Sequence, residues 1–148
     1  MPDGTLDRQA LRKIVFADPT ERRALEAITH PAIRTELQRA AKAANHPYAI
    51  VAIPLLAEAG ARATYPWLDR ILVVDVPVAL QHARLMQRDG STSALAGQMI
   101  AAQASRAQRL AIADDVVSNE GNTDQLAQQA QRLDATYRAA LQTHRIEN

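Results

Sequence analysis

A chain of 148 residues with no cysteine and a formal net charge of +1 has the length of one ordinary domain and excludes disulfides, thiolate metal sites and cysteine nucleophiles. Its near-neutral balance sets up no field to draw nucleic acid or a membrane surface, and its five aromatic residues are not interleaved with basic ones as a single-strand stacking platform requires. No apolar run approaches a membrane span and Met1-Pro2-Asp3-Gly4 has no signal-peptide character, so a soluble, cytoplasmic protein is expected.

Asp3-Gly4 is a turn signal, behind which Leu6, Ala10, Leu11, Ile14 and Val15 recur at helical spacing. A second helix is predicted from Pro19-Thr20, turning Ala24, Leu25 and Ile28 inward. His30-Pro31 is expected to interrupt it, a third helix restarting there with Ile33, Leu37, Ala40 and Ala44 on one face. Asn45-His46-Pro47 ends that helix. Then comes YAIVAIPLLAE, Tyr48 to Glu58. Ala49 to Ile53 has the composition of a strand buried on both faces of a parallel sheet. It stops at Pro54-Leu55-Leu56-Ala57-Glu58, a proline, two leucines and a carboxylate. Open α/β sheets bind ligands at such strand ends, which marks the run as a small-molecule site.

RILVVDV, Arg70 to Val76, predicts a second buried strand. Pro77 opens a helix through Gln81, Arg84 and Arg88, closed by Asp89-Gly90. Ser91 is expected to cap an alanine-rich helix running toward Arg109. Val116 to Ser118 forms a short third strand leading to Asn119-Glu120-Gly121. A last helix, entered at Asn122 or Thr123, turns Leu126, Ala130, Leu133, Tyr137 and Leu141 inward. Strands separated by helices give the α/β class, a parallel sheet with helices on both faces. Asp75 has apolar neighbours and reads as structural. His30, His46, His82 and His144 are scattered and form no metal set. Asp114-Asp115 reads as turn chemistry, Arg22-Arg23 as a solvated face.

DGTLDRQALRKIVF, the His30-Pro31 pair, PLLAE, LQHARLMQRDG and AAQASRAQRLAIADDVVSNEG, in this order and spacing, resemble the dephospho-CoA kinases. These enzymes transfer the γ-phosphoryl group of ATP to the ribose 3'-hydroxyl of dephospho-CoA, the last step of coenzyme A biosynthesis. The resemblance runs from about Asp3 to the last helix and implies a P-loop nucleoside-kinase-like fold. It further implies ATP with Mg2+ as co-substrate, dephospho-CoA as acceptor, no tightly bound cofactor, and neither nucleic acid nor membrane as partner. By the same resemblance, residues 5–45 are acceptor-binding helices, with His30 and Arg34 toward the acceptor, while Leu55, Leu56 and Glu58 line its pocket. Residues 77–110 are a lid whose Arg84, Arg88 and Arg109 reach the phosphates, with Gln103 in the same region. Residues 111–148 hold the adenine loop, Asn119 and Gly121, and the C-terminal helix. By residue type alone, His30 reads equally as a helix-junction histidine, the leucines as core, the arginines as solvated surface and Asn119-Glu120-Gly121 as an ordinary turn.

In that family an amino-terminal segment precedes the Asp-Gly turn and carries the first strand, the glycine-rich phosphate loop and aspartates near the second strand. The pattern G-x-x-x-x-G-K-[ST] does not occur here: Gly4, Gly60, Gly90, Gly97 and Gly121 are isolated, and neither Lys13 nor Lys42 follows a glycine. The expectation is a truncated kinase in one domain, its first two strands, phosphate loop and catalytic base missing, Met1 being an internal or misassigned start. Such a chain does not catalyse unaided, because phosphoryl transfer depends on that loop for positioning and charge stabilisation. The family's first strand lies between the PLLAE and RILVVDV strands, so its loss leaves a gap. The gap is expected to close by direct pairing, to borrow a strand through self-association, or to leave the fold marginal. The alternatives are a related nucleoside monophosphate kinase and a non-catalytic paralogue that binds nucleotide or a partner.

Overall fold

Residues 6–146 are described by a computed structural model of the chain, so the Asp3-Gly4 turn lies outside the described residues. The chain divides into two units, Met1–Asn45 and His46–Asn148. In the first, α1 (Arg8–Ala17) packs on α2 (Pro19–Ala43). Asp7 caps α1 by accepting from the Ala10 N–H at 2.9 Å. Asp18 serves both helices: its N–H closes α1 on the Ile14 carbonyl at 3.0 Å, and its carboxylate opens α2 by accepting from the Thr20 N–H at 2.7 Å, with Pro19 in the first turn.

The predicted break at His30-Pro31 does not occur; α2 runs through Pro31. Proline leaves one carbonyl a turn earlier without its donor, but strong helix formers on either side carry the helix past that single loss. The Thr29 and Thr35 hydroxyls bond back to the Leu25 and Pro31 carbonyls at 2.9 and 3.0 Å. No described side chain of α2 is buried, and Ile28 is 73% exposed, so this helical pair builds no sealed core among the described residues.

In the second unit a turn over 54–60 leads into the one-turn helix α3 (Ala61–Thr64), followed by β1 (Leu72–Asp75). The crossover α4 (Val78–Asp89), α5 (Ser93–Ala101), α6 (Arg106–Ala111) leads to β2 (Asp115–Ser118), and α7 (Thr123–Ile146) follows. The strands pair in parallel with Leu72 opposite Asp115 and Asp75 opposite Ser118. Helix α6 packs on β1, α7 on β2, and α4 on α5. Pro77 and the left-handed Gly90 bound α4 as predicted. Ser91 is not the cap of the next helix; Thr92 is, and α5 stops at Ala101 instead of reaching Arg109. Ser105 and Gln108 form a reciprocal capping box that starts α6 afresh, giving the backbone a local alternative to one continuous helix.

The predicted strand at Ala49 to Ile53 is not a strand, and Ile50 is 75% exposed. An apolar run forms a ladder only when a neighbour offers backbone groups, and the described sheet contains β1 and β2 alone. Direct closure of the gap, one of the three expected outcomes, is therefore not what the chain adopts.

The two outer edges of the sheet differ. The Ile71 and Asp75 carbonyls of the β1 segment accept from Asp115 and Asn119, so by parallel alternation the N–H and C=O of Leu72 and Val74 face away from β2. No described strand pairs with them, and Val74 is 57% exposed. On the β2 side the Gln129 carboxamide takes both backbone groups of Ser118, accepting its N–H at 3.0 Å and donating to its carbonyl at 2.9 Å.

Where the strands begin, polar groups fasten α7 to the sheet. Asp115 accepts from Arg70 Nε and Nη2 at 2.7 and 2.9 Å and from the Tyr137 hydroxyl at 2.9 Å. Tyr137 meets Tyr48 edge to face with centroids 5.5 Å apart, and the Tyr48 hydroxyl donates to Asp134 at 2.5 Å. Asp114 accepts the Ile71 N–H at 2.6 Å and pairs with Arg62. The Asp114-Asp115 pair thus holds strand ends together across the sheet.

Burial, with the hydrogen bond to Asp115 second, pushes the Tyr137 phenol up to about 12, above the roughly 10 of an unfolded tyrosine. A raised folded value means a contribution present below about pH 10 and lost as pH rises toward 12. Tyr137→Phe is expected to lower stability at pH 8 by about 1 kcal/mol and to flatten the alkaline fall, measured by thermal melts from pH 8 to 11. An unchanged alkaline slope in the variant contradicts the assignment.

Candidate functional site

Both strands end at one edge of the sheet, where the chain gathers its arginines. Asp75, the last residue of β1, is buried, and a buried carboxylate is stable only with a cation or several donors. Arg106, at the first turn of α6, supplies the cation. Its Nε donates to the two Asp75 oxygens at 2.8 and 3.1 Å and its Nη2 to Oδ2 at 2.6 Å. That hydrogen-bonded guanidinium, against the opposing effect of burial, holds Asp75 below the usual carboxylate value. Asp75, read from the sequence as structural, is engaged in this ion pair. Arg106 was not singled out by sequence reasoning, although an aspartate ending an apolar strand demands a positive partner somewhere.

The cluster extends through backbone. The Asn119 N–H donates to the Asp75 carbonyl at 2.8 Å, and the Asn119 carbonyl accepts Arg84 Nη1 from α4 at 2.7 Å. Arg109 stays close enough to lower Asp75 further, while its Nη1 donates to the Ala104 carbonyl at 2.5 Å. Arg84, Arg109 and Asn119 are thus brought to one region. Arg88 is not: its guanidinium, 73% exposed, pairs with the adjacent Asp89 at 2.6 and 2.9 Å.

Gly121 borders an open cavity of about 480 Å3 with Ser118, Glu120, Gln125 and Arg132. A Cβ on Gly121 would lie 1.7 Å from Gln125 Oε1, which accepts the Asn122 N–H at 3.1 Å while Asn122 Oδ1 accepts from the Gln125 N–H at 2.9 Å. The glycine therefore makes room for the side chain that caps α7.

The PLLAE residues form the turn at 54–60, in which Ala59 and Ala61 donate to the Leu55 and Leu56 carbonyls at 2.9 Å. Gly60 and Ala61 are both left-handed, φ +88° and +47°, a conformation glycine accepts freely and alanine only under strain. Leu55 is exposed and Leu56 half-buried, and the exposed Glu58 accepts the Ala104 N–H at 2.7 Å. In the first unit His30 and Arg34 lie four residues apart on α2, hence on one face, and neither side chain has a hydrogen-bond partner among the described residues. Gln103, in the connection between α5 and α6, donates its N–H to the Ile100 carbonyl at 3.2 Å. Among the described residues no group of three or more histidine or acidic side chains is placed to hold a metal ion, and no helix is long and apolar enough to cross a membrane.

Comparison with known proteins gives one answer. The family model described as dephospho-CoA kinase matches residues 1–125. Over all 148 residues the chain is 99% identical to a dephospho-CoA kinase of Xanthomonas campestris pv. campestris, strain 8004, and spans 72% of that protein. It is 74% identical over 144 residues to the dephospho-CoA kinase of Xanthomonas euvesicatoria pv. vesicatoria, 97% of this chain and 71% of that one. The crystal structure of TT1252 from Thermus thermophilus matches at a TM-score of 0.72 and 31% identity, covering 90% of this chain and 68% of its own.

The depressed Asp75 value means that its contribution to stability is complete above about pH 4, the unfolded aspartate value, and is lost as pH falls through the folded one. Asp75→Asn is expected to unfold at lower urea than the wild type at pH 7, with the difference narrowing at pH 3. An equal difference at both pH values contradicts the ion pair as its source.

Proposed function

We propose, from the premise that this chain belongs to the dephospho-CoA kinase family, that its residues receive the acceptor and cover the phosphates in the transfer of the ATP γ-phosphoryl group to the dephospho-CoA 3'-hydroxyl. The observation that carries this reading is the convergence of Arg84 and Arg109 on the strand ends, around the Asp75–Arg106 pair. Phosphoryl transfer needs little covalent help from a protein and much fixed positive charge, since charge develops on the oxygens of the migrating group. Arg84 is held on the Asn119 carbonyl through one nitrogen, which leaves other donors of its fork for a phosphate. Arg109 belongs to the same set. Arg88 joins only if its guanidinium leaves the adjacent Asp89. Asn119 and Gly121 form the loop beside the adenine. In the second unit Leu55 and Leu56 give the acceptor apolar contact, with Glu58 on the same turn. Taken by itself, the first unit carries His30 and Arg34 on one face of α2, a hydrogen-bonding ring and a cation of the kind an acceptor nucleotide takes.

The described residues do not form a magnesium site: the strand-end carboxylate, Asp75, is committed to Arg106. The ion is expected to come with ATP and to be held through its phosphates, as such ions are. The proton of the acceptor hydroxyl needs a base, and the described strand-end residues offer none that is unengaged. Base and phosphate loop are assigned to the part of the relatives' length that this chain does not span. The same part, or a second copy of the chain through self-association, supplies a strand to the free edge of β1. A cytoplasmic setting accords with the cysteine-free sequence.

Purified, the 148 residues are expected to form no coenzyme A from ATP, Mg2+ and dephospho-CoA, while the same residues joined to the remaining portion of the Xanthomonas campestris relative do. Turnover by the short chain alone refutes this division of labour. In the joined form Arg84→Ala is expected to lower kcat by roughly 10²-fold or more with little change in melting temperature. Parallel losses of rate and stability point to a packing role instead.

A further inference from the structure

The connection between α5 and α6 shows how the arm made by α4 and α5 is anchored. Of its four peptide N–H groups, three are satisfied within the neighbouring turns. Ala102 donates to the Gln98 and Ile100 carbonyls, Gln103 to Ile100, and Ser105 to the Gln108 carboxamide at 2.8 Å. Backbone donors in a connection normally find such local partners or water. Ala104 does neither: its N–H donates to Glu58 Oε1 at 2.7 Å, across 46 positions of sequence. Its carbonyl accepts Arg109 Nη1 at 2.5 Å. One residue at the root of the arm is thereby pinned through both backbone groups, the amide side by a charge-assisted bond.

Glu58 has no other hydrogen-bond or ion-pair partner among the described residues, and its surroundings do not require it for packing, because it is exposed. It stands on the turn that carries Leu55 and Leu56. The left-handed residues Gly60 and Ala61 bend the chain immediately after it, and the Ala59 and Ala61 N–H groups brace the turn from within. A braced turn that reaches out with one carboxylate transmits its own displacement to whatever that carboxylate holds. Here that is the arm bearing Arg84.

We propose that Glu58 is a positioning residue that couples acceptor occupancy of the 54–60 turn to the pose of the α4–α5 arm over the nucleotide, an inference resting on the acceptor and lid roles given above. Seating the acceptor against Leu55 and Leu56 fixes the turn, and through Glu58 and Ala104 fixes the arm root. Linkage makes the effect reciprocal, so nucleotide under the arm tightens acceptor binding by the same factor. Arg109 holds Ala104 from the other side, so losing Glu58 leaves the arm attached but no longer registered to the turn.

Two measurements test this. In the 148-residue chain, Glu58→Ala is expected to speed amide hydrogen exchange at Ala104 selectively, while Glu58→Gln, which keeps an acceptor oxygen, restores most of the protection. In the catalytically competent joined form, the affinity for a non-hydrolysable ATP analogue is expected to rise at least about fivefold when dephospho-CoA is added. Glu58→Ala abolishes that rise and lowers kcat/KM roughly 10- to 100-fold, and Glu58→Gln recovers it. Retained coupling in Glu58→Ala, or Ala104 exchange unchanged by it, overturns the proposal; so does a melting-temperature loss with coupling intact, which marks a purely structural contact. A wild-type joined form that makes no coenzyme A defeats the proposed function instead, and the exchange measurement then still decides whether Glu58 holds the arm root.

Discussion

Backbone pairing at the two edges of the sheet is the constraint on which the rest of this molecule depends. At β2 the Gln129 carboxamide imitates a neighbouring strand, taking the Ser118 N–H and carbonyl and closing that edge with a side chain. At β1 the outward groups of Leu72 and Val74 meet no described strand, and both side chains stay exposed. Two parallel strands are a poor stopping point for a fold, because parallel sheets are normally buried on both faces and extended on both sides. The sealed interior is correspondingly small: Ala61, Tyr65, Ile71, Ala96 and Val117 are the buried apolar residues among those described. Much of the cohesion falls to polar ties at the strand starts, centred on Asp114 and Asp115.

The opposite end of the same strands gathers arginines around one carboxylate. Asp75 is too enclosed to stay ionised without a partner, so Arg106 is drawn to the end of β1 and α6 is seated there. That seating positions Arg109 and, through Asn119, the residue that receives Arg84. One buried carboxylate and a crossover are thus enough to bring three arginines to one end of the sheet. The arm of α4 and α5 is tied to this framework at few points, the arrangement expected of an element that moves.

Local physics was legible in the sequence, and long-range partnership was not. Pro77 and Gly90 bound α4 where predicted, and the alternation of strand and helix gave the α/β class, because each is decided within a few residues. The run at Ala49 to Ile53 has the composition of a buried strand, but composition specifies how much water a strand avoids, not which neighbour pairs with it. His30-Pro31 looked like a break because proline removes a donor; the flanking helix formers outweighed that one bond. Ser91 was passed over for Thr92, and its hydroxyl is buried without a partner among the described residues. The resemblance assigned Arg84 to a lid and Asn119 to an adenine loop, and their contact, like the Asp75–Arg106 pair 31 positions apart, exists only once the crossover is folded. Glu58 was expected at the acceptor, and the structure shows its carboxylate on the Ala104 N–H.

The most direct test of the central claim, that the edge of β1 stands open for a strand these residues do not themselves provide, is residue-resolved amide hydrogen exchange across β1. In the 148-residue chain as a monomer, Leu72 and Val74 should exchange nearly as freely as unstructured amides while Val73 and Asp75, which face β2, are protected. In the catalytically competent form all four should be protected. Strong protection of Leu72 and Val74 already in the monomeric short chain would mean that the edge is closed from within, and the account would be wrong.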